Sequence, residues 1–140
     1  MQFVFLKQEF YDIHSEHLEI EKKLKRPYIQ VCIEVDGCIF AIPLRSNINH
    51  NHVFWTDKEN KCGVDFSKAV VVTDENHIDT FAKPYIRPEE YKVLKGQEYL
   101  IKQKFKLYIK KYLKAKQKIE LPHNKLLCEY STLQYFEEFI

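Results

Sequence analysis

One long stretch of alternating residues constrains the fold of this chain more than any other feature. Ile29, Val31, Ile33 and Val35 recur at every second position, as expected for a strand with one face in a core. The dipeptide Asp36-Gly37 follows, which favours the tight turn of a β-hairpin, and a second apolar arm runs over 38–44. This arm ends in a polar loop, RSNINHNH. The sequence therefore predicts a rigid hairpin that delivers a set of polar groups to one place.

Shorter patterns predict further elements on both sides of the hairpin. Before it, an opening strand is expected around Phe3, and charged and apolar residues alternate at helical spacing over 9–24, up to the break at Pro27. After it, short strands are expected at 53–55 and 69–72 with a turn between them. These patterns indicate an antiparallel sheet of about five or six strands.

The second half of the chain is predicted to be helical. The clearest helix spans 91–118, interrupted near Gly96, because apolar residues recur there at three- and four-residue steps. Pro122 is expected to mark a break. A last helix is expected after Ser131, whose hydroxyl caps it while Gln134 reaches back. The fold class that follows is α+β, a compact curved antiparallel sheet surrounded by helices.

The length and composition of the chain bound its class. A chain of 140 residues suits a single domain, 1–140, with a core of its own. No apolar run approaches the ~18 residues of a membrane span, and the N-terminus is charged too early for a signal peptide, so a cytoplasmic protein without a membrane partner is expected. The four cysteines form no CxxC pair and are expected to be reduced thiols.

Charge is distributed unevenly along the chain. The segment 91–118 holds ten lysines and one acid, Glu98, a local net charge of +9, although the whole chain carries only +2. A solvated amphipathic face is the commoner explanation of such a run. Solvated faces usually mix signs, however, and a polyanion would relieve the self-repulsion of this one. We therefore expect an RNA or DNA partner.

The polar loop after the hairpin is the second candidate for function. His50 and His52, with His77 or His123, form weak evidence for a metal site because no acidic partner is near in sequence, and we expect neither a metal nor another cofactor. No G-x-S-x-G elbow is present for a serine hydrolase. RNA supplies its own nucleophile, the 2′-hydroxyl, so a base, an acid and cations suffice to cleave it. A polar loop without chemistry remains the alternative.

The hairpin RPYIQVCIEVDGCIFAIPLRS, the segment GVDFSKAVVV and the C-terminal CEYSTLQYFEEF resemble, in this order, the ToxN/AbiQ/TenpN toxins of bacterial type III toxin-antitoxin systems. The short N-terminus and the order RPY, FAIPLRS, DFSKAVV are most similar to TenpN. This resemblance spans nearly the whole chain.

The resemblance implies a fold, an activity and a partner. It implies a metal-independent endoribonuclease with a MazF/Kid-like barrel core that leaves 2′,3′-cyclic phosphate and 5′-hydroxyl ends. The substrates are mRNA and a repetitive, pseudoknot-like antitoxin RNA, which the toxin processes and which inhibits it. Toxin and RNA units assemble head to tail into closed rings, a cyclic hetero-oligomer. A protein enclosed by RNA needs a broad basic surface, which is one account of the lysine helix.

Four residues of this chain fall on family positions. Ser46 falls on the serine at the scissile phosphate, Arg45 on the residue before it, and Arg26 on the basic position that precedes the first hairpin strand. Tyr11 stands for a tyrosine near the N-terminus. The chain departs from the pattern at Ile48, where ToxN-like members carry a lysine, and no Lys or Arg occurs between Arg45 and Lys58.

The missing cation leaves two interpretations. In the first, His50 is base or acid, since imidazoles titrate near neutrality, and Asn49 is a neutral phosphate donor. Ser46 and Arg45 then hold the non-bridging phosphate oxygens, and Arg26 offsets charge on the leaving oxygen. In the second, Asn49 marks a weak or inactive copy that acts as an RNA-binding protein. The residues that we predict to contact RNA in either case are Arg45, Asn47, His52, Tyr28, Tyr11, Lys102, Lys106 and Lys110.

Overall fold

The computed structural model describes residues 1–22 and 27–140, and its centre is the predicted hairpin. Strand β2 (Gln30–Val35) pairs with β3 (Cys38–Arg45) in antiparallel register. The two turn residues, Asp36 and Gly37, have φ angles of +50° and +83°. Positive φ at both central positions is the signature of the type I′ turn, so the hairpin prediction is confirmed.

Within residues 1–22 and 27–140, five further strands complete an antiparallel sheet around this hairpin: β1 (Gln2–Leu6), β4 (Val53–Asp57), β5 (Cys62–Asp65), β6 (Val70–Val72) and β7 (Ile78–Asp79). The strand order is β4-β5-β3-β2-β1-β7, and β6 also pairs with β3. One edge of β3 is therefore shared, with β6 along its first half and β5 at its end. Between these two partners the chain leaves the sheet in a short 3₁₀ turn, Phe66–Lys68.

In the described part of the chain, four α-helices cover the sheet: α1 (Gln8–Ile13), α2 (Pro88–Leu94), α3 (Glu98–Gln117) and α4 (Pro122–Tyr130). Helix α3 contributes five buried side chains to the core: Ile101, Phe105, Tyr108, Tyr112 and Ala115. Its Phe105 ring packs edge-on against Phe40 of β3, with 4.9 Å between ring centroids. The break between α2 and α3 falls at Gly96, where φ is +75°, which confirms the predicted interruption.

Several predicted elements differ from the observed ones. The fold class is confirmed as α+β, but the sheet has seven strands, and within the described residues its end strands β4 and β7 do not pair. The sheet is thus not closed into the barrel that the resemblance implies. The predicted break at Pro122 is observed, since α3 ends at Gln117 and a new helix begins at Pro122. The proline occupies the first turn of α4, where a missing N–H costs nothing.

The two ends of the chain also form shorter helices than predicted. The last two residues of the predicted helix over 9–24 lie outside the described part of the chain. Within that part, α1 ends at Ile13, because the rings of His14 and His17 pack against Phe10 and Tyr135 and redirect the chain. The segment after Ser131 forms two 3₁₀ turns, at 132–135 and 137–139. The Ser131 hydroxyl does accept the predicted capping bond, from the N–H of Leu133 at 3.2 Å. Among the described residues, no helix has the length and apolarity needed to cross a membrane.

Candidate functional site

A buried carboxylate organises the polar loop that follows β3. Asp65 is the last residue of β5, it is fully buried, and its side chain caps the 3₁₀ turn by accepting the N–H of Ser67 at 3.0 Å. The Ser67 hydroxyl donates to the same oxygen at 2.6 Å. His50 Nε2 lies 3.2 Å from this oxygen, and Arg45 Nη1 lies 2.5 Å from the other one. Asp65 therefore joins the end of β3, the loop and the turn.

The electrostatic environment of this cluster favours the ionised forms of Asp65 and Arg45. Burial raises the pKa of Asp65, but hydrogen bonds from His50, Ser67 and Arg45 outweigh this effect, and the pKa lies below its ordinary value. Burial lowers the pKa of Arg45, but its hydrogen bond and charge interaction with Asp65 and the charge of Glu21 raise it overall. The guanidinium of Arg45 lies between the two carboxylates, 3.0 Å from Glu21. Its terminal nitrogens are thus bound within the protein.

Both ring nitrogens of His50 contact protein atoms. Nε2 faces Asp65 and also lies 3.2 Å from the Ser67 hydroxyl, while Nδ1 accepts the backbone N–H of His52 at 3.1 Å. An acceptor Nδ1 leaves the proton of the neutral ring on Nε2, where it donates to Asp65. In this arrangement His50 fixes the path of the loop, and neither nitrogen has a lone pair turned to a ligand.

His52 is different, because its ring nitrogens make no hydrogen bond with any described residue. The ring is half-buried and packs beside Tyr108, with 5.2 Å between centroids. Burial, and then the nearby charge of Lys111, lower the pKa of His52 to about 4. The ring is consequently neutral at pH 7 and able to accept a proton or a hydrogen bond.

Two open grooves meet at Arg45, which lines both. The first, about 500 Å³, contains Ser46 and we call it the Ser46 groove; it is also lined by Tyr28, Tyr85, Arg87 and Glu90. The second, about 380 Å³, lies between the loop and α4 and we call it the histidine groove. Its walls are Asn47, Ile48, Asn49, His50, His52, His123, Leu126, Leu127 and Tyr130. Among the described residues, the predicted catalytic side chains Ser46, Asn49 and His50 thus lie on one loop but face two grooves.

A lysine from another turn reaches this loop. Lys61, which precedes β5, donates from its ammonium to the side-chain oxygen of Asn49 at 3.2 Å, and its carbonyl accepts the N–H of Ile48 at 3.1 Å. Ile48 itself is buried. The tertiary structure therefore brings a cation to a loop segment that has none in sequence. Lys61 has a φ of +56°, a conformation that L-residues other than Asn and Asp adopt at a cost.

The other predicted residues are distributed as follows. Ser46, Asn47 and Asn49 are exposed on the loop. Tyr11 is buried, and the cavities that it lines contain neither Ser46 nor His50; burial raises its pKa. Arg26 lies outside the described residues.

Sequence reasoning missed the partners of the loop. Asp65, Ser67 and Lys68 lie in the segment GVDFSKAVVV, which the apolar pattern presents as a strand. The signal that was available is Asp-x-Ser at the end of an apolar run, since Asp is a preferred capping residue and accepts the N–H two residues later. Lys68 is buried and donates to the Tyr130 carbonyl at 3.2 Å, with its ammonium 3.7 Å from the centre of that ring.

Within the described parts of the chain, no three His, Cys, Asp or Glu side chains are placed to hold a metal ion together. The chain was also compared with known protein families, curated proteins and solved structures, and it matches none of them.

Proposed function

We propose that this protein is a metal-independent endoribonuclease toxin of a type III toxin-antitoxin system, resembling TenpN. It cleaves mRNA and its own repetitive antitoxin RNA, which neutralises it and with which it assembles into closed rings in the cytoplasm. The observation that carries the proposal is the convergence of two open grooves on the loop to which the resemblance assigns the scissile phosphate. The sequence resemblance and the exposed lysines of α3 support an RNA ligand.

The proposed reaction uses groups of the RNA and of the loop. The 2′-oxygen loses its proton and forms a bond to phosphorus as the bond from phosphorus to the 5′-oxygen breaks. This yields the cyclic phosphate, and the leaving 5′-oxygen takes a proton from solvent water to become the 5′-hydroxyl. We assign the removal of the 2′-hydroxyl proton to His52, because its ring nitrogens are unengaged among the described residues. Ser46 and Lys61 donate to the non-bridging oxygens.

Other residues position the loop or stabilise the leaving oxygen. His50 and Asp65 orient the loop, and Arg45 joins them to the strand end. The assignment of His50 as base stays a prediction that its present hydrogen bonds do not favour. Arg26 keeps its predicted role at the leaving oxygen, and Arg87, exposed in the Ser46 groove, is a second candidate for that role.

A catalytically weak RNA-binding protein is the second candidate function. It is favoured by one observation, that Arg45 and His50 are both held in contacts with the buried Asp65. Such contacts leave little of either side chain for a phosphate.

One assay separates these functions. Purified protein is incubated in EDTA with total bacterial RNA, and the products are ligated by an enzyme that requires 5′-hydroxyl ends and then sequenced. We expect cuts at recurrent sequences with 2′,3′-cyclic phosphate ends. Retained binding without such ends supports the RNA-binding candidate, and neither binding nor cleavage at low salt contradicts both.

Replacing Lys61 by Asn is expected to weaken cleavage about tenfold and to raise the free energy of unfolding by roughly 0.5 to 1 kcal/mol. Asn tolerates a positive φ, so the variant relieves backbone strain while it removes the cation from Asn49. The matched control is Lys58→Asn, at an exposed lysine of the same turn. Cleavage rates and urea unfolding check both effects; equal rates for the two variants would remove Lys61 from the mechanism.

A further inference from the structure

The lysines of α3 lie on two different flanks of the helix. At 100° per residue, Lys104 and Lys111 lie about 60° to 80° to one side of the buried stripe, and Lys102, Lys106 and Lys110 lie on the other side and on the back. The contacts agree with this division. The Lys104 ammonium is 5.8 Å from the centre of the Phe54 ring in β4, and Lys102 lies 4.0 Å from Glu98 at the opposite side.

The flank of Lys104 and Lys111 leads to the histidine groove. Lys111 is close enough to His52 to affect its charge, and Lys118, one further two-turn step along, has its carbonyl bonded to the side chain of Asn124, next to His123. Among the described residues, neither Lys104 nor Lys111 forms an ion pair, so both charges are available to a ligand. The lysines that were predicted from the sequence to contact RNA do not lie on this flank; they are Lys102, Lys106 and Lys110.

The histidine groove itself offers flat and apolar walls with amides at its rim. Leu126 is 67% exposed and Tyr130 is 43% exposed, although both are large apolar side chains. The Tyr130 ring is fixed by Lys68, whose ammonium lies over it. Asn47 and Asn49 supply hydrogen-bond donors and acceptors from the loop. A pocket of this kind suits a planar heterocycle with polar edges.

We propose that the histidine groove binds an unpaired nucleobase of a single-stranded RNA segment, whose phosphates lie along Lys104 and Lys111. The positive charges of Lys104 and Lys111 favour a polyanion as the ligand. The apolar walls of the groove favour a base that is free to enter it, because it is not stacked and paired in a duplex. This inference rests on the proposed function and extends it, because it adds a binding site for the strand beside the loop.

The lysine flank is tested by binding rather than by cleavage. The probe is a fluorescent 2′-O-methyl oligoribonucleotide of about 12 nucleotides and mixed sequence, which cannot be cut through its 2′ position. We expect Lys104→Glu/Lys111→Glu to weaken binding at least about tenfold at low salt and to flatten its salt dependence. The matched control, Lys92→Glu/Lys95→Glu, changes the net charge by the same amount at two exposed lysines of the preceding helix and its end, and it is expected to have less than a threefold effect.

The groove is tested with a second pair of variants. Tyr130→Leu is expected to lower the affinity for the same probe by roughly 5- to 100-fold, the range found when a base loses its stacking partner. Tyr99→Leu replaces an exposed tyrosine on the other flank of α3 and is expected to leave binding unchanged. A duplex of the same sequence is expected to compete poorly with the single strand.

The outcomes distinguish this inference from the function on which it rests. The inference is overturned if the two lysine double variants lose the same affinity for the probe, or if Tyr130→Leu and Tyr99→Leu bind it equally well. In either case, cleavage of cellular RNA would still support the nuclease. Preference for the duplex, or equal affinity for an acidic protein and the RNA probe, overturns it as well. Absence of both cleavage and RNA binding in the unaltered protein overturns the proposed function.

Discussion

Replacing Asp65 by Asn is expected to lower the free energy of unfolding by about 3 to 5 kcal/mol, the range observed when a buried ion pair loses one partner. The carboxylate is fully buried and receives donors from Arg45, His50 and Ser67. An amide of the same shape keeps one acceptor oxygen, but it turns an N–H₂ group towards one of these donors and takes the carboxylate partner in β5 away from the half-buried guanidinium of Arg45. Equilibrium unfolding in urea measures the difference.

The pH dependence of this effect has a defined sign. Because the pKa of Asp65 in the folded protein lies below its ordinary value of 3.8, its contribution is complete above that value and is lost as the pH falls through the folded pKa. The stability difference between the two proteins should therefore be largest near neutrality and shrink in acid. The control is Asp36→Asn, at an exposed turn position with φ of +50° that Asn tolerates, and it should change stability by less than about 0.5 kcal/mol. Equal stability of Asp65→Asn and the unaltered protein at pH 7 would contradict the arrangement described above.

Replacing His52 by Gln is expected to lower the rate of RNA cleavage by about 10² to 10⁴, the usual contribution of a general base, with little change in stability. Gln is similar in length and retains hydrogen bonding, but it does not accept a proton. The matched control is Asn51→Ala, at the exposed neighbouring position in the same loop. Single-turnover cleavage of a defined transcript gives the rate, and urea unfolding confirms that the variant folds. Full activity of His52→Gln would return the role of base to His50.

The pH profile of the same reaction identifies the base. A base with a pKa of about 4 in the free protein must lose its activity only as the pH falls through that value, so the acid limb of kcat/KM should lie near pH 4. Burial and the charge of Lys111 lower this pKa, and Lys111→Gln should therefore move the limb to higher pH. A limb that Lys111→Gln leaves in place would show that another group accepts the proton.

Local sequence patterns determined the elements whose geometry depends on near neighbours. The alternation over 29–44 and the Asp36-Gly37 turn specified the β2–β3 hairpin, since strand period and turn type are local properties. The three- and four-residue spacing of Ile101, Phe105 and Tyr108 specified α3, and Gly96 specified its beginning. The described part of the helix predicted over 9–24 is helical only up to Ile13, because the packing of His14 and His17 onto aromatic rings outweighs its periodicity.

The sequence by itself determined the hairpin, the α+β class, the long basic helix and the position of the polar loop. Only the tertiary structure decided which groups surround that loop. Asp65 and Lys61 lie beside the loop because β3 pairs with β5 in a register that sets Arg45 opposite Gly63. Tyr130 lies beside it because the end of α4 is bonded to Lys68, in the 3₁₀ turn that follows β5. These pairings are contacts between distant parts of the chain, decided by the burial of the whole core. No pattern of neighbouring residues encodes them.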